Sequence, residues 1–431
     1  MLLAKPTGFP MISRQIWKLR TALRKIWVRV VAFAVLAAAS IVLAKLLAPL
    51  LPEGLAFKTG AESVERLLNL LASSMLAVTT FSLSIAVSAF SGAAQNATPR
   101  AIALLQQDRT TQNVLATFLG AFLYSLLGII ALSAGLYDSN AQVILFFVTI
   151  AVTGLVIVAL MRWIGHLMSF GRMGNTLDRV ELAAKNALGR WRTAPNLGGH
   201  PINGDVPAGG SEVLAKKSGY VQHVDMPSLN GLAERTGAQI FIDRRPGGFV
   251  ATGQALCSVH GSQLEADDRA NIQAAFSIGT ERVFEEDPRF GLIVLSEIAS
   301  RALSPAVNDP GTAISVIGRI VRLLSDWPNH ETPEICFPQM HVPRILAEDM
   351  LVDALRPVAR DGADNIEVQV RLQKALASLR NTAPDDFEDP AARLACEALE
   401  RANRAGLPDS ELTDLYDIAA WARPKEIAAH T

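Results

Sequence analysis

The segment RALSPAVNDPGTA, residues 301–313, sets an arginine, two prolines and an Asn-Asp pair between two apolar helical runs. Arg289 and Arg301 stand near the ends of the run 290–303, and Asn308 adds an amide beside the Asp309 carboxylate. Arginines close to helix starts at Pro288 and Pro310 have the chemistry of an anion site, because free backbone N–H groups favour negative charge there. The same residues have a plainer use. Asp before Pro reads as a helix N-cap: the carboxylate accepts from free N–H groups, and Pro at the first helical position gives up a donor that lacked a partner anyway. Asp287-Pro288, Asp309-Pro310 and Asp389-Pro390 all read this way. The corner of Arg289, Arg301, Asn308 and Asp309 is thus either an anion site or a structural corner fixed by capping and a buried Arg301–Asp309 pair.

Other chemistries find less support. Cys257-x-x-His260 and Cys336-x4-His341 supply zinc-type ligands, but positions three apart on a strand diverge, so no metal site is expected. The chain has three cysteines, an odd number with no CxxC, so no disulfide framework is implied. There is no GxxxxGK[ST], GxSxG or HExxH, and Gly247, Gly248 and Gly253 sit between strands as turn residues. Neither an enzyme nor a cofactor is indicated. No basic stripe with interleaved aromatics points to nucleic acid.

A further pattern lies in an apolar run. Ser73, Ala77, Thr80, Ser84, Ser88 and Ser91 recur at steps of three or four and share one helical face. Such a face can line a polar path between copies of the chain, or it can serve as the small-residue surface of a helix contact in lipid. Thr79 and Ser82 fall on other faces. In the next apolar run Ala116, Gly120 and Gly128, with Tyr124 among them, read as packing.

The elements that must position these residues follow from composition. Charged residues make up 19% of the 431 residues and hydrophobic ones 50%, too apolar for a soluble chain of this size. Four runs, 30–51, 67–90, 113–136 and 142–161, approach or exceed the ~20 residues that cross a bilayer. The first reaches that length only through Lys45, which snorkels to the interface or marks an intramembrane ion site. The arm 1–29 carries Lys5, Arg14, Lys18, Arg20, Arg24, Lys25 and Arg29 with no Asp or Glu, and cations return after Met161. Both termini are therefore expected in the cytoplasm.

Residues 172–192 read as a helix leaving the membrane, 193–217 as a Pro/Gly-rich linker, and 218–262 as a small β-rich module. The module's strands are expected at 219–224, 239–242 and 249–260, with a helix at 227–235. Its SGYV and RPGGFVATGQALCSV stretches resemble the small β-sandwich of biotinyl and lipoyl carriers, but no lysine stands between Lys217 and Lys374 to carry a swinging arm. Residues 263–431 read as helical throughout. The expected fold is mainly α, a four-helix transmembrane unit followed by a cytoplasmic α+β region.

The connection TPRAIALLQQDRTTQNVLATFLGAFLYSLL, EEDPRFGL at 285–292 and the ALSP-x-x-NDP element resemble a family of bacterial predicted inner-membrane proteins of unknown function. Thr98-Pro99-Arg100 departs mildly from the Ser-Pro-Arg usual there. The resemblance implies four spans and a cytoplasmic domain in the inner membrane, and supplies no activity. Two functions follow as expectations. One is a homo-oligomeric pore or transport-type protein gated by its cytoplasmic domain, and the other is a membrane-anchored interaction or sensing protein without transport. The permeant ion or small-molecule ligand is not specified by either.

Overall fold

The computed structural model describes residues 60–422 apart from 107, 138, 169–171, 205 and 328–333, together with six helical positions at 28, 30, 31, 35, 39 and 42. The basic arm, Lys45 and most of the expected first span lie outside the described residues. The residues from 60 onward divide into two compact units, 60–95 with 102–175, and 96–101 with 176–422.

The apolar unit is built on α1 (Gly60–Asn96), α3 (Arg109–Ser133) and α4 (Ser139–Leu167), with α2 (Pro99–Gln106) in the connection between the first two. Among the described residues three stretches, Ser63–Gly92, Thr110–Ser133 and Ala141–Leu167, are long and apolar enough to cross a membrane. Their ends differ from the expected ones for physical reasons. Helix α3 stops at Ser133, short of Leu136, where Gly135 turns the chain at φ 68°. Helix α4 continues past Met161 through Arg162, Trp163 and His166. A cation does not end a helix whose backbone bonds are internal, and a long side chain can reach the interface.

Helix α3 is the most buried of the three. Tyr124 and Ala131 pack with Val64, Leu68, Ala141 and Leu145, and farther along Val114, Phe118 and Ala121 pack with Met75, Val156, Ala159 and Trp163. Ala116, Gly120 and Gly128 are all buried. At Gly128 a Cβ would lie 3.0 Å from a methyl of Leu68, so the small residue sets how closely α1 approaches. Tyr124 Oη and Thr149 Oγ1 meet at 3.0 Å, while Thr149 donates to the Leu145 carbonyl at 2.7 Å.

The second unit opens with α5 (Met173–Thr193) and then a 3-10 turn, Pro195–Gly198. Its strands are β1 (Gly199–Ile202), β2 (Ser211–Leu214), β3 (Gly219–Val224), β4 (Gln239–Ile242), β5 (Phe249–Val250), β6 (Ala255–His260), β7 (Phe276–Gly279) and β8 (Phe337–Pro343). Helices α6 (Met226–Thr236) and α7 (Ala266–Ala275) are interleaved with them. One sheet has the order β1-β8-β4-β6-β2, with β8 parallel to both neighbours, and the other has the order β5-β3-β7. Six helices follow or flank β8: α8 (Phe290–Ala302), α9 (Pro310–Ser325), α10 (Ala347–Asp361), α11 (Ile366–Thr382), α12 (Pro384–Ala405) and α13 (Asp409–Ile418). Apolar faces join α8 to α9 and α10, and α11 to α9 and α12.

Three expectations are corrected here. Residues 193–217 are not a linker, since β1 and β2 lie within them, Pro201 being tolerated because β1 is an edge strand. The segment 218–262 is not a self-contained sandwich: β3 and β5 belong to one sheet and β4 and β6 to the other. Residues 263–431 are not wholly helical, because β7 and β8 complete those sheets. Inside 218–262 the strands expected at 219–224 and 239–242 form as β3 and β4 and the expected helix forms as α6, while 249–260 is divided by a turn into β5 and β6.

The packing of α5 on α8 supplies a test. A Cβ at Gly291 would lie 2.4 Å from that of Ala184, whereas Gly189 on α5 faces open space. Gly291→Ala should lower stability by ~1–3 kcal/mol through overpacking, and Gly189→Ala should raise it by ~0.5–1 kcal/mol through helix propensity. Unfolding of the purified protein checks both signs; equal responses would refute the close approach.

Candidate functional site

The hydroxyl face of α1 is exposed along its whole length. Ser73, Ala77, Thr80, Ser84, Ser88 and Ser91 are all exposed, and they lie opposite the buried side of Val64, Leu68, Leu71, Met75, Ser82 and Ala86. Exposed Leu70 and Phe81 flank the stripe on one side, and Leu76, Leu83 and Val87 on the other. Two of its hydroxyls bond their own helix, Ser73 Oγ to the Asn69 carbonyl and Thr80 Oγ1 to the Leu76 carbonyl, each at 2.9 Å. Such back-bonding makes a hydroxyl tolerable at an apolar surface.

At the opening loop the structure separates the four corner residues. Asp309 caps α9: its carboxylate accepts from Thr312 N at 3.0 Å and from Thr312 Oγ1 at 2.6 Å. Those bonds hold the carboxyl below the usual carboxylate range. Asn308 takes a left-handed φ of 48°, a conformation Asn adopts more readily than most residues. Arg301 is exposed and forms no ion pair with Asp309 among the described residues, so the expected buried pair is not made. Arg289 works elsewhere. Its Nε donates to Asp353 at 2.5 Å and its Nη1 lies 3.5 Å from Asp349.

What the fold builds instead is a charge network around Asp287. This carboxylate is 2% exposed, accepts from Arg282 Nε at 2.6 Å and from Arg289 N at 3.2 Å, and so holds the chain just before α8 rather than capping it from the expected position. Burial pushes its carboxyl above the usual value, against the pull of Arg282. Gly247, at φ 88°, packs against it; a Cβ there would lie 2.1 Å from Asp287 Oδ2. Arg245 donates to the carbonyls of Pro343 and Arg344 and lies 3.7 Å from Asp349. Burial, and then the Arg289 cation, hold the Arg245 guanidinium below its ordinary value. Arg245, Arg282 and Arg289 therefore face Asp287, Asp349 and Asp353 in a balanced set. A second bridge joins α5 to α9, where Glu181 accepts from Arg322 at 2.9 Å and also pairs with Arg319. Burial raises Glu181, but the arginine hydrogen bonds outweigh it and hold the carboxyl low.

The remaining candidates fall apart or find structural partners. Asp389 and Pro390 lie inside α12, whose first turn begins at Pro384, so the third Asp-Pro does not start a helix. Cys257 is fully buried, with burial pushing its thiol well above the ordinary value, whereas Cys336 is exposed. No group of three or more His, Cys, Asp or Glu is placed to hold a metal ion among the described residues. His223 Nδ1 lies 2.6 Å from Glu286, and His166 Nε2 lies 2.8 Å from Asp108, the N-cap of α3. Sequence spacing concealed both pairs. The acidic partner of His166 did carry a signal, an Asp three residues before Thr111 at a helix start.

A family model described as "Predicted membrane protein (DUF2254)" matches residues 24–378. Uncharacterized proteins of Mycobacterium bovis and Mycobacterium tuberculosis are each 30% identical to this chain over 273 residues. That alignment covers 60% of this chain and 50% of each relative, so the chain spans about half the length of the curated relatives it matches. No solved structure gives a significant match.

Two carboxylates at this site predict different outcomes. Asp309→Ala should cost ~0.5–2 kcal/mol, with Asp309→Asn or Asp309→Ser recovering most of it, since each side chain caps. Because the Asp309 carboxyl is held low in the fold, its contribution is complete at neutral pH and is lost as acid titrates it below the usual carboxylate range. Asp287→Ala should cost ~3–5 kcal/mol by leaving Arg282 and the Arg289 N–H without their acceptor. Denaturant unfolding of each variant measures the losses. Equal, small costs at the two positions would contradict the network.

Proposed function

The chain belongs to the DUF2254 family of predicted membrane proteins, and from this premise we propose that it is a four-span homo-oligomeric pore or transport-type protein of the bacterial inner membrane. Both termini face the cytoplasm in this reading. The hydroxyl face of α1 lines a polar path between copies, and the unit of residues 176–431 gates it. The observation that carries the proposal is that all six residues of that face are exposed on the single chain, opposite the side that packs. Small and hydroxyl side chains are suited to close helix approach or to water, and neither use is met among the described residues of one chain.

The contacts at the end of α1 support this reading. Asn96–Ala101 groups with Thr176–Thr431 in one compact unit, Ala97, Thr98 and Ala101 are buried there, and Arg100 pairs with Glu297 on α8. In this reading the Arg100–Glu297 pair carries a movement of α8 to the residues that follow α1 in the chain. The back-bonds of Ser73 and Thr80 favour the second reading, a membrane-anchored interaction or sensing protein in which the face only holds copies together.

Cysteine substitution separates the two. With Cys336 and Cys396 replaced by Ala and buried Cys257 retained, Ser84→Cys and Ser88→Cys are tested in lipid vesicles against Phe81→Cys. Reaction with a membrane-impermeant thiol reagent together with copper-catalysed crosslinking between copies, both absent at Phe81→Cys, is the result expected for a pore. Crosslinking alone supports the anchored reading. Neither reaction nor crosslinking at Ser84→Cys and Ser88→Cys defeats both.

A further inference from the structure

Three histidines far apart in sequence converge on one face of the five-stranded sheet. The strand registers pair His200 with His341, His341 with Phe241, Phe241 with Ser258, and Ser258 with Glu212. Directly paired residues point to the same face, so this is one row across all five strands. Its rings are stacked. The centroids of His200 and His341 are 5.4 Å apart at 25°, and those of His341 and Phe241 are 4.2 Å apart at 8°. His260, two residues from Ser258 and hence on the same face, sets its edge against Phe241 at 5.0 Å. Gly210 makes room for it, since a Cβ there would lie 2.2 Å from His260 Nε2. The opposite face is ordinary core: Ile240, Met340, Val342 and Val259 are buried.

We propose that this row is a proton-operated switch: neutral rings hold edge strand β1 against β8, and protonation in mildly acidic conditions releases it. The Nε2 atoms of His260 and His341 are buried without a hydrogen-bond partner among the described residues, as is Ser258 Oγ. No carboxylate is paired with any of the three histidines there. The ionisable groups near β8 are otherwise engaged or distant. Asp243, just past β4, interacts with Arg244 and with Glu212 on β2. On α6, which packs on β8, Glu234 bonds Asn230 and Arg235 pairs with Asp268. The 3-10 turn Pro195–Gly198 carries no ionisable side chain.

One proton on the stack is tolerated, because a cation beside Phe241 gains from the ring face. A second places like charges on neighbouring rings, neither of which is paired with a carboxylate among the described residues. Burial, and then His200 and His260, hold His341 below the ordinary histidine value. A histidine depressed in the fold binds its proton more readily when the edge is undone. The stability of the edge is therefore complete above about pH 6.5 and is lost as pH falls below it. Strand β1 is the member able to leave: it has a single neighbour, and the turn before it holds Asn196 and Leu197 at φ 53° and 56°, a left-handed strain that release relieves.

Hydrogen exchange of the full chain in detergent micelles at pH 7.5 and 5.5, corrected for intrinsic rates, tests the switch. Peptides covering 199–202 and 337–343 should lose protection severalfold at the lower pH, while 366–382 in α11 remains unchanged. In H200Q/H341Q that difference should vanish. H341F, which keeps a flat, non-titrating ring on Phe241, should suppress it even if the double variant loses the edge at both pH values. A wild-type chain with no selective loss, or an H341F chain with the full wild-type response, overturns the proposal.

Discussion

A carboxylate that is almost wholly removed from water governs how the second unit holds together. Asp287 is stable in that position only because Arg282 and the Arg289 N–H reach it and because Gly247 lets the chain between β4 and β5 lie against it. Taking a charge out of water costs several kcal/mol before any partner is supplied, so such a group constrains everything around it to remain complete. The constraint spreads through Arg289 to Asp353 and Asp349 on α10, and through Arg245 to the carbonyls at the end of β8. Sheet and helices are thus fixed to each other by charge, in addition to their apolar contacts. The motifs RRPGG and EEDPRF, separate in sequence, are two sides of one network.

The apolar unit follows a different rule. Its polar side chains turn inward to one another, as Tyr124 and Thr149 do, or back to their own helix, as Ser73 and Thr80 do. Asp108 combines both devices, capping α3 and meeting His166 from the far end of α4. Ser82 Oγ and Tyr137 Oη, buried with no hydrogen-bond partner among the described residues, are the exceptions to this rule. The stripe on α1 faces outward from this packing.

Much of the local structure was legible. Alternating apolar residues bounded by Gly and Pro located β3, β4, β5 and β6, and Asp309 before Pro310 marked the start of α9. That Ser73 to Ser91 share one helical face followed from spacing alone, whereas the exposure of that face did not. Strands β1 and β8 were not legible, because Pro201, Pro338 and Pro343 read as breakers and because parallel pairing depends on a partner distant in sequence. Asp389-Pro390 misled because the cap signal is local, while burial of Phe387 draws the preceding turn into the same helix. The network of Arg245, Arg282, Arg289, Asp349 and Asp353 carries no spacing at all; only the tertiary fold assembles it.

The place of β8 in its sheet constrains the order in which the chain can be made. It lies between β1 and β4, both of which leave the ribosome long before it. Until β8 arrives, β1 has no strand to bind and one side of β4 presents unpaired backbone donors and acceptors, the kind of edge that recruits foreign strands. Long-range parallel pairing is also slow to form. Helices α8 and α9, made in the interval, pack against each other, with Gly291 of α8 close to Ala184 of α5 and the arginines of α9 on Glu181, so a partly folded body is present before the sheet closes. The nascent chain therefore carries an open slot through much of its synthesis, and its yield in a cell depends on how well that slot is shielded.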